Sequence, residues 1–184
     1  DAAWQYLSSF VKERGKNYSR NISKPLESRQ SCSRVSPYLS WGNLSLRQVY
    51  QYVSQNITHL RTVRPYIDFL TRLRWRSHFM QKLESEMAYE DQFINKGFNE
   101  LKFNDNPALL KAWEEGFTGF PLVDASMRCL KATGWINFRM RALLVSFLCH
   151  HLFIDWRLGV HHLAKLFLDY EPGIHYPQFQ MQAG

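Results

Sequence analysis

Residues 113–156 read WEEGFTGFPLVDASMRCLKATGWINFRMRALLVSFLCHHLFIDW, and this stretch decides the fold. Pro121 suits the start of a helix whose apolar candidates are Leu122, Val123, Ala125, Met127 and Leu130. Gly134 suits the residue just past its end. A second helix is expected over about 137–154, with Met140, Leu143, Leu144, Val145, Phe147, Leu148 and Leu152 pointing to nearly every side. A helix of that kind lies inside a protein, not on its surface. Asn106-Pro107 reads as the cap and first position of a short helix stopping at Gly116. A further helix is expected from about Arg157 to Leu168.

Working outward, Trp4, Leu7, Phe10 and Val11 fall at helical spacing within 3–13. Residues 14–37 are polar, basic and without periodicity, which predicts a long surface loop, functional or disordered. Ser45 and Gln48 form a capping-box pattern for a helix to about Gln55. Pro65 opens a helix expected over about 66–85, with Ile67, Leu70, Leu73, Phe79, Met80 and Leu83 as its apolar positions. Residues 86–105 are weakly patterned and read as irregular, with Tyr89, Phe93, Phe98 and Phe103 among them. The tail, DYEPGIHYPQFQMQAG, is rich in proline and glycine and is expected as a loop. No run alternates as a strand does and no segment repeats, so the expected class is all-α, helices packed around one core.

Composition bounds the function. At 184 residues the chain is long enough for one domain with a real core. A formal charge of +7 suits a polyanion such as nucleic acid as well as it suits simple solubility. Aromatic residues at 15% supply either a ring-rich core or a stacking surface for a flat ligand. The three cysteines, Cys32, Cys129 and Cys149, lack any CxxC spacing, which speaks against a disulfide framework and a zinc site and fits a reducing, intracellular (cytoplasmic) home. The longest apolar run, Ala142 to Cys149, is too short to span a membrane, and no signal-peptide pattern opens the chain.

Polar residues set among apolar helices are the chemical candidates: Asp124, Arg128, Arg139, Arg141, Asp155 and Asp169. A buried charge needs an ion partner or a ligand, and pattern alone leaves both open. Arg139 and Arg141, two apart on a helix, cannot point the same way. Ser33-Arg34-Val35-Ser36-Pro37 offers hydroxyls, a guanidinium and backbone N–H groups, suited to cradling a phosphate or to making an ordinary serine-rich turn.

Four stretches together resemble the photolyase/cryptochrome family. CSRVSPYLSWGNLSLRQVY, from Cys32, is similar to the family's loop around the FAD diphosphate. FLTRLRWRSHF, from Phe69, resembles the helix that carries its Trp-Arg pair. WEEGFTGFPLVDASMRCLKATGWINFRMR followed by FLCHHLFIDWRLG resembles the family's most characteristic segment. The resemblance implies a helical FAD-binding domain over 1–184, partial, lacking the N-terminal antenna domain and the last C-terminal helices.

Carried over by position, the resemblance implies that Tyr18 and Cys32, Ser33, Arg34, Val35 and Ser36 contact the diphosphate and ribityl parts, with Cys32 where threonine is usual. It places Phe69, Arg72, Trp75 and Arg76 on the helix face over the flavin and substrate cavity. Arg141 and Asp169 match an ion pair beside the isoalloxazine, Glu171 a nearby carboxylate, and His175 the residue facing flavin N5, able to donate or take a proton. No metal is implied. The chain also departs from the family pattern. Arg72 stands where Glu or Gln is usual, and Phe138 where Asn or His is. Of the three tryptophans of the photoreduction chain, only Trp156 matches; Phe179 and Phe103 replace the others, and Tyr176 or Trp135 are the available substitutes.

The leading expectation is therefore a deoxyribodipyrimidine photo-lyase, a carbon–carbon lyase acting on UV-damaged DNA, with Trp75, Arg72 and Trp156 as its working residues. One competitor keeps FAD but acts as a cryptochrome-type blue-light sensor. Another is a cofactor-free basic helical module that binds nucleic acid.

Overall fold

The computed structural model describes residues 2–58 and 60–184, and among these every regular element is helical, as expected of an all-α chain. The chain divides into two compact units, Asp1–His78 and Phe79–Gly184.

In the first unit, α1 (Ala2–Lys12) buries Ala3, Leu7, Phe10 and Val11. A 3-10 turn (Arg14–Asn17) leads into three short helices, α2 (Tyr18–Asn21), α3 (Glu27–Ser31) and α4 (Ser36–Ser40). The expected surface loop over 14–37 is thus a chain of helical turns, and Gly15, Tyr18, Ser28, Ser31, Cys32, Ser33 and Val35 are buried. A Cβ on Gly15 would lie 2.6 Å from the Tyr66 ring, so only glycine allows this close approach. α5 (Leu46–Asn56) carries the complete capping box of Ser45 and Gln48. α6 (Arg64–Ser85) begins in this unit. It buries Tyr66, Phe69, Leu70 and Leu73, whereas Ile67, expected inside, is exposed. The rings of Tyr18, Tyr66 and Phe69 surround Phe10, and the Tyr66 hydroxyl donates to the Val11 carbonyl at 3.0 Å.

In the second unit, 3-10 turns at Met87–Glu90 and Lys96–Glu100 precede α7 (Pro107–Glu115), α8 (Pro121–Thr133) and α9 (Phe138–Ser146). Asn106 caps α7 through its side chain, and Gly134 closes α8 in the left-handed conformation, φ 65°. The single helix expected over 137–154 ends as α9 and continues as a π-helical turn, Phe147–His151. Leu152 N–H donates to Phe147 C=O at 3.0 Å, the wider i,i+5 bond. α10 (Trp156–Leu166) starts on the Asp155 cap.

The tail is not a loop: α11 (Pro172–Ala183) runs through Pro177. Gln180 holds it, donating to the carbonyls of Tyr89 and Gln92 at 2.7 and 2.9 Å and accepting from Ile94 N–H at 2.7 Å. These tertiary bonds override the local preference against helix. Trp113, Met127, Leu130, Leu144, Leu148, Trp156, Val160 and Leu163 form the centre of this unit. Trp113 Nε1 donates to the Leu144 carbonyl at 3.0 Å within it.

Candidate functional site

The first cluster lies in the turns between α1 and α4. Tyr18 is edge-on to Phe10 and Phe69 at 5.7 and 5.9 Å. Burial, with Cys32 close by, raises its phenol pKa, against a side-chain hydrogen bond with Arg72. Phe69, Arg72 and Cys32 are thus each neighbours of Tyr18. Burial pushes the Cys32 thiol up to about 11, outweighing the pull of Arg34 and Arg14, so it stays a neutral thiol near pH 7.

The turn itself is unusual. Arg34 has φ 61°, left-handed for a residue with a side chain, and Val35 follows at φ −89°, ψ −6°. Consecutive residues of opposite hand turn their N–H groups toward a common point, a nest for an anion. Among the described residues, the backbone N–H groups of Ser33, Val35 and Ser36 donate to no protein acceptor.

What holds the turn is Arg14, which the sequence did not single out. Its Nε donates to Ser9 Oγ at 3.1 Å. Nη1 donates to the carbonyls of Gln30 and Cys32 at 2.8 and 2.6 Å, and Nη2 to those of Tyr6 and Ser33 at 2.8 and 3.2 Å. No pattern signals such a residue, because four of its five partners are main-chain oxygens.

On α6, Arg72, Trp75 and Arg76 share one side of the helix by their spacing. Trp75 is 49% exposed and meets His78 edge-on at 6.0 Å.

The second cluster is in the other unit. Arg141 on α9 reaches both Asp169 oxygens through Nη2, at 2.9 and 2.8 Å, and its Nε donates to the Ile136 carbonyl at 3.0 Å. Its guanidinium carbon lies 4.0 Å from the centre of the Phe167 ring. The Asp169 side chain is 5% exposed and that of Arg141 29%, so a buried acid fixes a partly open base. Among the described residues, Arg141 Nη1 has no protein acceptor.

His175 lies beside this pair. Its Nε2 is 2.9 Å from the Val160 carbonyl. A carbonyl only accepts, so Nε2 carries the hydrogen and Nδ1 is the bare nitrogen. Burial lowers its pKa to about 4, helped by Arg141 and His161 and opposed by the Val160 bond and Asp169. The imidazole is neutral near pH 7 with its one N–H engaged; what remains to it there is acceptance at Nδ1. Half-buried Glu171 precedes α11, its carbonyl accepting from Ile174 and His175 N–H at 3.0 and 2.8 Å.

Trp156 is buried, and its ring neighbours are Phe93 and Phe179, at 6.0 and 6.1 Å. Phe103 stacks on Phe93 at 5.8 Å. Tyr176 meets His175 and His161, and Trp135 is buried. Phe138 is partly exposed beneath the Arg139 guanidinium, 5.0 Å away.

The other charged candidates have structural partners. Asp124 accepts from Thr118 N–H and hydroxyl and from Gly119 N–H, at 2.8, 2.6 and 3.0 Å. Burial works against its charge, but these bonds outweigh it and keep its pKa below the usual range. Arg128 donates to the Gly116 carbonyl at 2.7 Å, and Asp155 pairs with Arg157. Among the described residues no group of side chains is arranged to hold a metal ion, and no helix is long and apolar enough to cross a membrane.

A family model described as the FAD binding domain of DNA photolyase matches residues 69–184. The chain is 35% identical over 166 residues to a deoxyribodipyrimidine photo-lyase of Alkalihalophilus pseudofirmus, covering 90% of this chain and 34% of that protein. The crystal structure of a class III photolyase from Agrobacterium tumefaciens matches with a TM-score of 0.93 at 28% identity, over 99% of this chain and 37% of that one. A Synechocystis cryptochrome structure matches with a TM-score of 0.91 at 28% identity, over 100% of this chain and 38% of that one. The chain belongs to the photolyase/cryptochrome family, in its FAD-binding domain. It spans about a third of the length of the curated relatives it matches.

Proposed function

We propose that this chain is the FAD-holding part of a photolyase that repairs pyrimidine dimers in DNA under blue light. Arg141 carries the reading. A guanidinium fixed by a buried carboxylate, with Nη1 free of protein acceptors, fits the edge of a flavin that gains negative charge on reduction. The N–H groups of Ser33, Val35 and Ser36 fit the oxygens of a diphosphate. Taken separately, the turn suits a diphosphate and the Arg141–Asp169 pair suits a flavin.

Bound FAD supplies the light absorption and the transferable electron. The protein's part is to bind and orient. Cys32 to Ser36 take the diphosphate through their main chain, with Tyr18 near Cys32 and Phe69 packed on Tyr18. Asp169 keeps Arg141 charged and aligned, Glu171 adds a carboxylate close by, and His175 offers a neutral nitrogen. Trp75 provides a stacking face for a flipped-out lesion, and Arg72 and Arg76 bind its carbonyls or the adjoining phosphates. The net charge of +7 favours DNA as the partner, and the free cysteines suit an intracellular protein.

A second reading, a cryptochrome-type sensor that holds FAD without repair, is favoured by the phenylalanines around Trp156 and by Phe138, which cannot hydrogen-bond a pyrimidine. Incubating full-length protein with dimer-containing DNA under blue light separates the two. Repair predicts loss of dimers; a flavin-loaded protein that leaves them intact is a sensor.

A further inference from the structure

We propose that Arg14 is a positioning residue for the diphosphate turn: it fixes the peptide planes that join Cys32 to Ser33 and Ser33 to Arg34 without itself touching the ligand. The proposal rests on the reading that this turn receives the diphosphate of FAD.

A guanidinium has five N–H donors. In Arg14 all five have protein acceptors: Ser9 Oγ and the carbonyls of Tyr6, Gln30, Cys32 and Ser33. None is left for a phosphate oxygen, so the residue acts through the main chain.

The peptide unit is planar and trans, so its N–H points opposite to its C=O. Drawing the Cys32 and Ser33 carbonyls toward Arg14 therefore directs the N–H groups of Ser33 and Arg34 to the other side. The left-handed Arg34 and right-handed Val35 continue the same concavity through Val35 and Ser36 N–H. A left-handed arginine costs about 1–2 kcal/mol, and such a conformation persists only where its surroundings over-determine it. Arg14 supplies that constraint, tying α1 to the residues that lead into the turn.

Its charge also matters. Among the described residues no carboxylate pairs with Arg14; only neutral oxygens surround its donors. Glu13 lies close enough to interact with it, but no carboxylate takes up its donors, and the positive charge adds to the field that an anion meets. Lysine would retain the charge but not the planar fork that holds four carbonyls at fixed angles.

The test uses full-length protein, stripped of flavin and titrated with FAD, with ADP and with riboflavin, which lacks the diphosphate. Arg14→Gln and Arg14→Lys are compared with the parent, each checked by circular dichroism. Both variants are expected to lose about tenfold or more in affinity for FAD and ADP, and to keep riboflavin affinity within about twofold. Should Arg14→Gln not fold, Arg14→Lys carries the comparison. Parental ADP affinity in Arg14→Lys, or a parallel fall in riboflavin affinity, overturns the role of Arg14. A parent protein that takes riboflavin but not ADP overturns the diphosphate assignment itself, and the proposal with it.

Discussion

Arg141 and Asp169, 28 residues apart, are joined through a single nitrogen: Nη2 of the arginine lies 2.9 Å from one carboxylate oxygen and 2.8 Å from the other. The acid is buried and the base partly open, so the pair is asymmetric. Asp169→Asn keeps the shape and removes the charge. Losing one partner of a buried pair costs about 3–5 kcal/mol, and the access of Arg141 to water reduces that here to about 2–3 kcal/mol. Urea unfolding of Asp169→Asn, Arg141→Gln and the double variant checks this. The double variant is expected to be less destabilised than the sum of the singles, and strict additivity would deny the coupling.

His175 gives the fold a pH dependence of defined sign. Its pKa falls from about 6.5 in the unfolded chain to about 4 in the fold, so the unfolded state binds the extra proton. Its contribution to stability is complete above about pH 6.5 and is lost as pH falls toward about 4. Between about pH 7.5 and pH 5 the loss is about 2 kcal/mol. Carboxylates titrate over part of this range too, so the comparison is with His175→Gln. That variant should show a shallower decline in urea midpoint; an identical decline would remove His175 from the account. The charged groups near it, Arg141, His161 and Asp169, are the same in both proteins.

Gln180 joins α11 to the segment from Tyr89 to Ile94. Replacing it with glutamate sets a carboxylate against two carbonyls and removes their donor. Destabilisation of about 2–4 kcal/mol is expected, more than for Gln180→Ala, whose smaller side chain can admit water. Amide hydrogen exchange gives a local reading: Ile94 N–H should lose its protection in Gln180→Ala, which leaves it no side-chain acceptor. Retained protection would mean that α11 is anchored some other way.

The ring neighbours of Trp156 are phenylalanines, which are much harder to oxidise than tryptophan. Photoreduction of the flavin-loaded protein is accordingly expected to be slow. Phe179→Trp, 6.1 Å from Trp156 between ring centres in the parent, should speed it severalfold under anaerobic blue light. Phe103→Trp should do little alone, because Phe103 stacks on Phe93. The decline of oxidised-flavin absorbance measures both. Equal rates in parent and Phe179→Trp would show that electrons enter without Trp156.

Much of the fold was legible because its signals are local. The Ser45–Gln48 box, the Asn106 cap and the left-handed Gly134 all stand where residue types alone put them. What stayed hidden depends on distant partners. The polar stretch from 14 to 37 has no periodicity because Arg14 organises it through main-chain oxygens. The tail reads as a loop by its prolines and is helical because Gln180 anchors it. The site divides in the same way. No spacing rule connects Arg141 to Asp169; the resemblance to a family supplied that pair. His175 was expected to be able to donate or take a proton, but its hydrogen bond to Val160, which engages its one N–H, appears in no motif.

The central claim is that Arg141, held by Asp169, forms one wall of a flavin site. The direct measurement is the flavin content of full-length protein as purified, by absorption spectrum, for the parent and Arg141→Gln. The parent should carry bound FAD, and Arg141→Gln, folded by circular dichroism, should lose most of it. Parental flavin content and affinity in Arg141→Gln, or a flavin-free parent that does not take up added FAD, would contradict the account.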